Sequence, residues 1–282
     1  MSFLSDVTKA VGLRVTHLSG AVSTATAAVT AAVSGLRPLP TVSAPPDQPA
    51  SIAQVLEEMR LLGGAMPADD GVADFHRMYL HVTELVGAAA AARSFEDVQF
   101  MERLDCVFAG LYLDACRAGD QTRSRAWQPL FELRAQPGTA CLQYALAGMY
   151  AHINFDLGLA LVRTCRQLGR RLDSPGVRAD FLAINTILAG AVQEVRESYL
   201  AGVALEADRA AAPVLDVVGG WSIEAARDAA WLSATVQWAL LGRKEAHAGY
   251  LDSRASMVGL VTRQLLTPVR ITGRDSAPGD GA

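Results

Sequence analysis

The sequence is poor in charge, in aromatic rings and in cysteine, and each shortage narrows what the chain can do. Only 19% of the 282 residues are charged and the formal net charge is -4, so the chain has no basic footprint of the kind that phosphate backbones demand. No nucleic acid is expected as a partner. The four cysteines, Cys106, Cys116, Cys141 and Cys165, fall in apolar helical stretches without CxxC or CxxxH spacing. They are expected as buried thiols of a reducing compartment. No uninterrupted apolar run reaches about 20 residues, so no conventional spanning helix is expected. Strand-like alternation is missing, as are a Walker A loop, a GxGxxG after a strand, an HExxH and a GxSxG. Nucleotide-driven, Rossmann, zincin and α/β-hydrolase chemistry are set aside on that ground.

What is present is helical periodicity. It predicts an all-α chain, a single multi-helix domain of seven or eight helices over residues 51–267, packed around one core. Ser51 and Gln54 form a capping box for a first helix to about Leu62. Val72–Arg93 is a second helix, and Ser94 with Asp97 opens a third through Ala115 and Cys116. A short helix over Arg125–Arg134 stops at Pro137-Gly138, ahead of the long apolar segment Thr139–Arg170. Ser174-Pro175 starts a helix to about Leu200, Pro213 interrupts residues 204–218, Ser222 caps the next helix, and a last one covers Glu245–Leu266. The tail 268–282 is expected to be disordered.

Ahead of the domain, residues 1–36 carry a heptad-like stripe (Val7, Val11, Val15, Leu18, Val22, Ala25, Val29, Ala32, Leu36) on an Ala/Thr/Ser background. This weakly amphipathic segment, residues 4–36, reads either as a helix for a membrane surface or a partner helix, or as a frayed extension. Residues 37–50, RPLPTVSAPPDQPA, are a Pro-rich linker. Lys9 and Arg14 precede Ala21–Leu36 as a secretory signal would require, but Ser and Thr dilute the apolar core and the basic region is too long. A cytoplasmic chain with peripheral membrane association is the expectation, ahead of secretion.

Five blocks in order resemble a known family: DGVADFHRMYLHVTELV (Asp70–Val86), FMERLDCVFAGLYLDA (Phe100–Ala115), AWQPLFELR (Ala126–Arg134), LQYALAGMYAHINFDLGLALV (Leu142–Val162) and WSIEAARDAAWL (Trp221–Leu232). They are similar to DUF5995, an actinobacterial family of unknown function, over about Ser51–Leu241. The resemblance implies no activity. It does imply two departures, since the family pattern has an asparagine at the position of His76 and a second histidine at that of Phe155.

The first candidate site is His152 with Asp156. A helix sets them about 40° apart on one face of an otherwise apolar wall. They read as a catalytic or metal pair, binding a divalent ion such as Fe, Zn or Mg, or as a buried histidine oriented by a carboxylate. Gly148 leaves room beside His152, and Arg163 could reach toward Asp156. His76 reads as a third catalytic group or as a satisfied core histidine, and His81 is expected at the surface. Glu102 and Asp105, beside a stripe through Tyr112, are further metal candidates, although the ExxH pairs of di-iron bundles are absent. Asp69, Asp70 and Asp74 spell DDxxxD, a magnesium-diphosphate pattern that also suits a helix start. Arg227 and Trp231 share a helical face with Trp238 and could bind an anionic or aromatic ligand. These residues predict an enzyme acting on a small, largely apolar molecule in a helical pocket. The alternative is a non-catalytic scaffold that docks through residues 4–36.

Overall fold

The computed structural model describes residues 48–92, 95–185, 187–188 and 222–268. The N-terminal stripe, most of the Pro-rich linker, the approach to Leu200, Pro213 and the tail beyond 268 lie outside the described residues. Among the described residues every element is helical and there is no strand, as the periodicity predicts. The helices are α1 (Ile52–Ala65), α2 (Gly71–Ala91), α3 (Val98–Arg117), α4 (Gln128–Glu132), α5 (Cys141–Ala151), α6 (Leu157–Gln167), α7 (Ile223–Leu240) and α8 (Lys244–Leu265). Between α5 and α6 runs a single π-helical turn, His152–Asp156, and residues 177–185 are also helical.

Local chemistry explains where the helices begin and end. Ser51 Oγ accepts from the Gln54 amide at 3.2 Å, while the Gln54 side chain accepts from Ala50 N at 3.0 Å, one residue before the cap, so the Ser51 half of the expected box forms and the Gln54 half is displaced to Ala50. Asp70, Asp97 and Ser222 cap α2, α3 and α7 with side-chain oxygens. The N-terminus of α3 gains a second anion from far along the chain. Asp180, almost fully buried, accepts from Glu96 N at 2.8 Å and Asp97 N at 2.6 Å, an acid placed where the helix dipole favours one. Gly169, with φ of +64°, ends α6 in a left-handed step. There Arg170 N donates to Cys165 O at 2.7 Å, the C-terminal motif that only a residue without Cβ adopts cheaply.

The α5–π–α6 rod is the axis of the fold. Its N-terminal half borders a cluster holding Phe75, Tyr79, Tyr112, Trp127 and Leu130, and its C-terminal half borders a second cluster holding Phe100, Leu104, Phe181, Trp231 and Trp238. Contact on the first side is intimate at two glycines, Gly148 of α5 and Gly71 of α2. A Cβ on Gly148 would overlap the Phe75 ring of α2, and one on Gly71 would overlap Tyr144 of α5. The rod, Cys141–Gln167, is 27 residues long and contains an 18-residue window of mean hydropathy 1.3, so by length and composition it could span a bilayer, although no uninterrupted apolar run of that length is present. Within the fold 78% of that window is buried, which is the setting of a core helix.

The cysteines depart in part from expectation. All four are free, and Cys106 and Cys165 are buried, but Cys116 is only half-buried and Cys141 is exposed. Cys141 is the first residue of α5, where the apolar stripe has not yet turned inward.

Candidate functional site

The polar pair singled out in the sequence sits where the rod changes gauge. In the π turn the Leu157 N–H donates to the carbonyl of His152, five residues back, so the turn is wider than an α-turn. His152 and Asp156 remain stacked four apart. His152 Nδ1 lies 2.8 Å from Asp156 Oδ2, and both side chains are almost wholly buried. The same oxygen accepts from Trp127 Nε1 at 2.9 Å. An indole nitrogen only donates, so this oxygen is an acceptor toward both rings and His152 carries its proton on Nδ1. Burial lowers the pKa of His152 below the ordinary value, and the Asp156 carboxylate opposes this with a smaller effect. The resting imidazole is therefore neutral, and its Nε2 is a bare lone pair. Among the described residues that nitrogen has no hydrogen-bond partner.

Around the imidazole stand five aromatic side chains. Phe108 of α3 lies flat on it, with centroids 3.6 Å apart and planes 3° from parallel. Tyr79 of α2 meets it edge-to-face at 4.6 Å, and Trp127, Phe75 and Tyr112 close the remaining sides at 5.7, 6.1 and 6.1 Å. All are buried except Phe108, which is half-buried. Four separate segments thus build one cage: α2, α3, the turn before α4, and the π turn. Helical spacing explains the first two contributions, because Phe75 and Tyr79 are four apart and so are Phe108 and Tyr112.

The other candidates fall in different places. His76 is buried next to the cage with both nitrogens engaged, Nδ1 to the Tyr112 hydroxyl at 2.9 Å and Nε2 to Met59 O at 2.8 Å. A carbonyl only accepts, so Nε2 donates and Nδ1 takes the tyrosine proton; burial again lowers the pKa. This histidine has no nitrogen left for a substrate. It floors a surface depression of about 270 Å³ between α1 and α2, with Gly63, Met66, Ala73 and Leu80 beside it. Gly63 must lack a side chain there, since a Cβ would come within 2.9 Å of His76 Nε2. His81 is half-buried rather than at the surface.

Glu102 and Asp105 separate. Glu102 is exposed, whereas Asp105 is buried with Oδ2 unpartnered among the described residues, and burial raises its pKa to about 7. Among the described residues no group of three or more His, Cys, Asp or Glu side chains is placed to hold a metal ion, so His152, Asp156, Glu102 and Asp105 do not form one shell. Arg163 is exposed on α6, and the partner of Asp156 is Trp127 instead. The DDxxxD triplet is a helix start: Asp70 caps α2 and binds Arg134 through Nε and Nη2, Asp74 pairs with Arg77, and Asp69 is exposed.

Trp231 belongs to the second cluster, and Arg227 lies against its Phe181. Arg227 donates to Asn185 Oδ1 at 2.6 Å and to Phe181 O, and it stacks on the Phe181 ring at 4.2 Å. Its burial lowers the pKa to about 9. The cation over Trp231 is Arg178, at 4.4 Å, and Arg178 also lies 3.4 Å from Asp228. Arg227 and Trp231, which share a helical face, thus each stack with a partner from residues 178–181.

Sequence reasoning missed Trp127, Phe108, Phe75 and Tyr79. The helical spacing of the last three was a readable clue, but nothing local to Trp127 points at Asp156, 29 residues away. Neither a curated protein nor a solved structure matches this chain. A family model described as a family of unknown function matches residues 52–268, which include the rod, His152 and its cage; the chain belongs to the DUF5995 family.

Proposed function

We propose that this chain acts on a small, largely apolar molecule in its helical interior, with His152 as the proton acceptor and Asp156 as the group that orients it. One observation carries this reading: a buried neutral imidazole has Nδ1 fixed by a carboxylate and, among the described residues, Nε2 without a partner, inside a wall of aromatic rings. An unpartnered buried nitrogen costs stability, and a group held at such cost is a candidate for chemistry. On taking a proton from the bound molecule, Nε2 becomes N–H and the electron pair stays with the substrate. The imidazolium is then stabilised by Asp156, whose other hydrogen bond to Trp127 keeps the carboxylate aimed at Nδ1. Phe108, the half-buried member of the cage, is the side chain whose rotation admits the substrate.

The test is a screen of small apolar molecules against the full-length protein, read by thermal stabilisation and by the imidazole nitrogen resonances. A productive ligand is expected to shift the His152 Nε2 resonance. His152→Ala should lower any turnover by at least about 100-fold, the lower range for a positioned general base. Ligand binding and turnover that survive both His152→Ala and Asp156→Ala in folded protein would remove the proposal.

A further inference from the structure

The surface depression over His76 is built by one face each of α1 and α2. Arg60, Gly63 and Gly64 line it from α1, and Ala73, His76, Arg77 and Leu80 from α2, the three- and four-residue steps that put side chains on a common helical face. In a chain of formal net charge -4, this lining carries two guanidinium groups and, among the described residues, no carboxylate. Both arginines are more than half exposed. Acids of α2 outside the lining tether them: Arg60 Nη2 donates to Glu84 at 2.7 Å, and Arg77 Nη2 donates to Asp74. A guanidinium has five N–H donors, and Nη2 is the group engaged on each among the described residues.

The two glycines point the same way. Consecutive glycines disfavour a helix, and here they need separate reasons. Gly63 is demanded by the His76 ring, which a Cβ would meet at 2.9 Å. Gly64 is demanded neither by packing, since a Cβ there meets nothing within 4 Å, nor by the backbone, which is helical without a positive φ. A side chain at 64 would occupy the depression that Gly64 lines.

We propose that this depression is a binding site for a small organic acid, with its carboxylate at Arg60 and Arg77 and its apolar body against Met66, Ala73 and Leu80 over the His76 ring. The planar guanidinium fork matches a carboxylate. The floor adds no hydrogen bond, because both His76 nitrogens are engaged by Tyr112 and Met59, so polar recognition falls to the rim and the rest is apolar contact. A volume of about 270 Å³ lies just below the range of drug-sized pockets and suits one ring or a short chain. A cationic ligand would meet two like charges, and inorganic phosphate would leave the apolar wall uncovered. The site is separate from the His152 cage, and it stands or falls independently of the function proposed above.

Cyclohexanecarboxylate, cyclohexylmethanol and acetate divide the ligand into its two halves and serve as probes for the full-length protein, read by the Gly63 and Gly64 amide signals and the His76 ring. Cyclohexanecarboxylate is expected to move these signals and to bind at least about tenfold more tightly than the alcohol, which lacks the charge, or acetate, which lacks the ring. Arg60→Gln and Arg77→Gln should each weaken the acid by about threefold, the weight of one exposed charge pair, and leave the alcohol unchanged. Gly64→Leu puts a helix former into open space. It should keep or raise the melting temperature while abolishing acid binding, which separates a filled site from a damaged fold. Equal affinity for acid and alcohol, or acid binding that survives Gly64→Leu, would overturn the proposal. So would signals that stay still at millimolar acid. An acid that moved the His152 resonances and left Gly64 unmoved would overturn this site and favour the cage instead.

Discussion

Asp105 and the two buried histidines pull stability in opposite directions with pH. The Asp105 carboxyl titrates ordinarily at 3.8 and, pushed up by burial, at about 7 in the fold. Between those values the folded state holds the extra proton, so stability falls as pH rises through the window, and the penalty is complete above it. His76 and His152 are held below the ordinary 6.5 by burial. The unfolded chain binds more protons there, so their contribution is lost as pH falls below that value. Asp105→Asn should erase the first slope and expose the second. Denaturant melts of the variant are expected to gain stability as pH rises toward about 6.5 and to level off above it, ending up to about 4 kcal/mol above the parent. A variant with the parent's pH profile would mean that Asp105 is not a buried acid. At this scale the His152–Asp156 pair was legible, because a four-residue spacing survives in any helix, the wider π turn included. Asp105 was noticed but grouped with Glu102, since spacing alone does not say which of two carboxylates three apart faces inward.

Among the elements, α2 and the rod pack closely, and their contact depends on Gly148 having no side chain. Phe75 cannot yield, being 1% exposed and packed against Tyr79, Tyr112 and Trp127. Gly148→Ala is therefore expected to destabilise by about 1–3 kcal/mol, the cost of overpacking a tight core, and to disturb the His152 resonances through Phe75. Gly64, near the end of α1, has nothing within 4 Å of a built Cβ. Gly64→Ala should be neutral or stabilising by about 0.5 kcal/mol, from helix propensity alone. Thermal melts of the two variants would check both signs, and equal losses would contradict the packing argument. The helices themselves could be read from caps and periodicity. The π turn could not, because HINFD has the same apolar pattern in either helix type and the extra residue is accommodated by what packs against it.

For the molecule as a whole, the domain begins slightly before its first helix. Pro49 is buried and its ring carbon would lie 3.4 Å from a Cβ on Gly110. Arg103 donates to Pro49 O at 3.1 Å and also to the Gln48 side chain, which takes a further bond from Gln167 at 2.9 Å. A chain starting at Gln48 should therefore be more stable than one starting at Ser51 by about 1–2 kcal/mol, the worth of a few partly exposed hydrogen bonds and a buried ring. Calorimetry would resolve this as a melting temperature lower by roughly 2–6 °C in the shorter chain. Equal melting would show that residues 48–50 only rest on the surface.

Periodicity and capping by themselves determined that the chain is all-helical, where most of its helices begin, and that His152 and Asp156 share a face, because each of these is set within a turn or two of backbone. Family membership was also legible, being written in ordered blocks. Tertiary structure alone decided that Trp127 completes the pair, that Phe108 covers the imidazole, that His76 is satisfied by Tyr112 and Met59, and that Asp105 is buried while Glu102 is not. Those outcomes depend on contacts between helices distant in sequence. Their physical origin is tertiary packing, in which the close approach of α2 to the rod at Gly148 and Gly71 and the packing of α3 bring aromatic faces onto one polar turn.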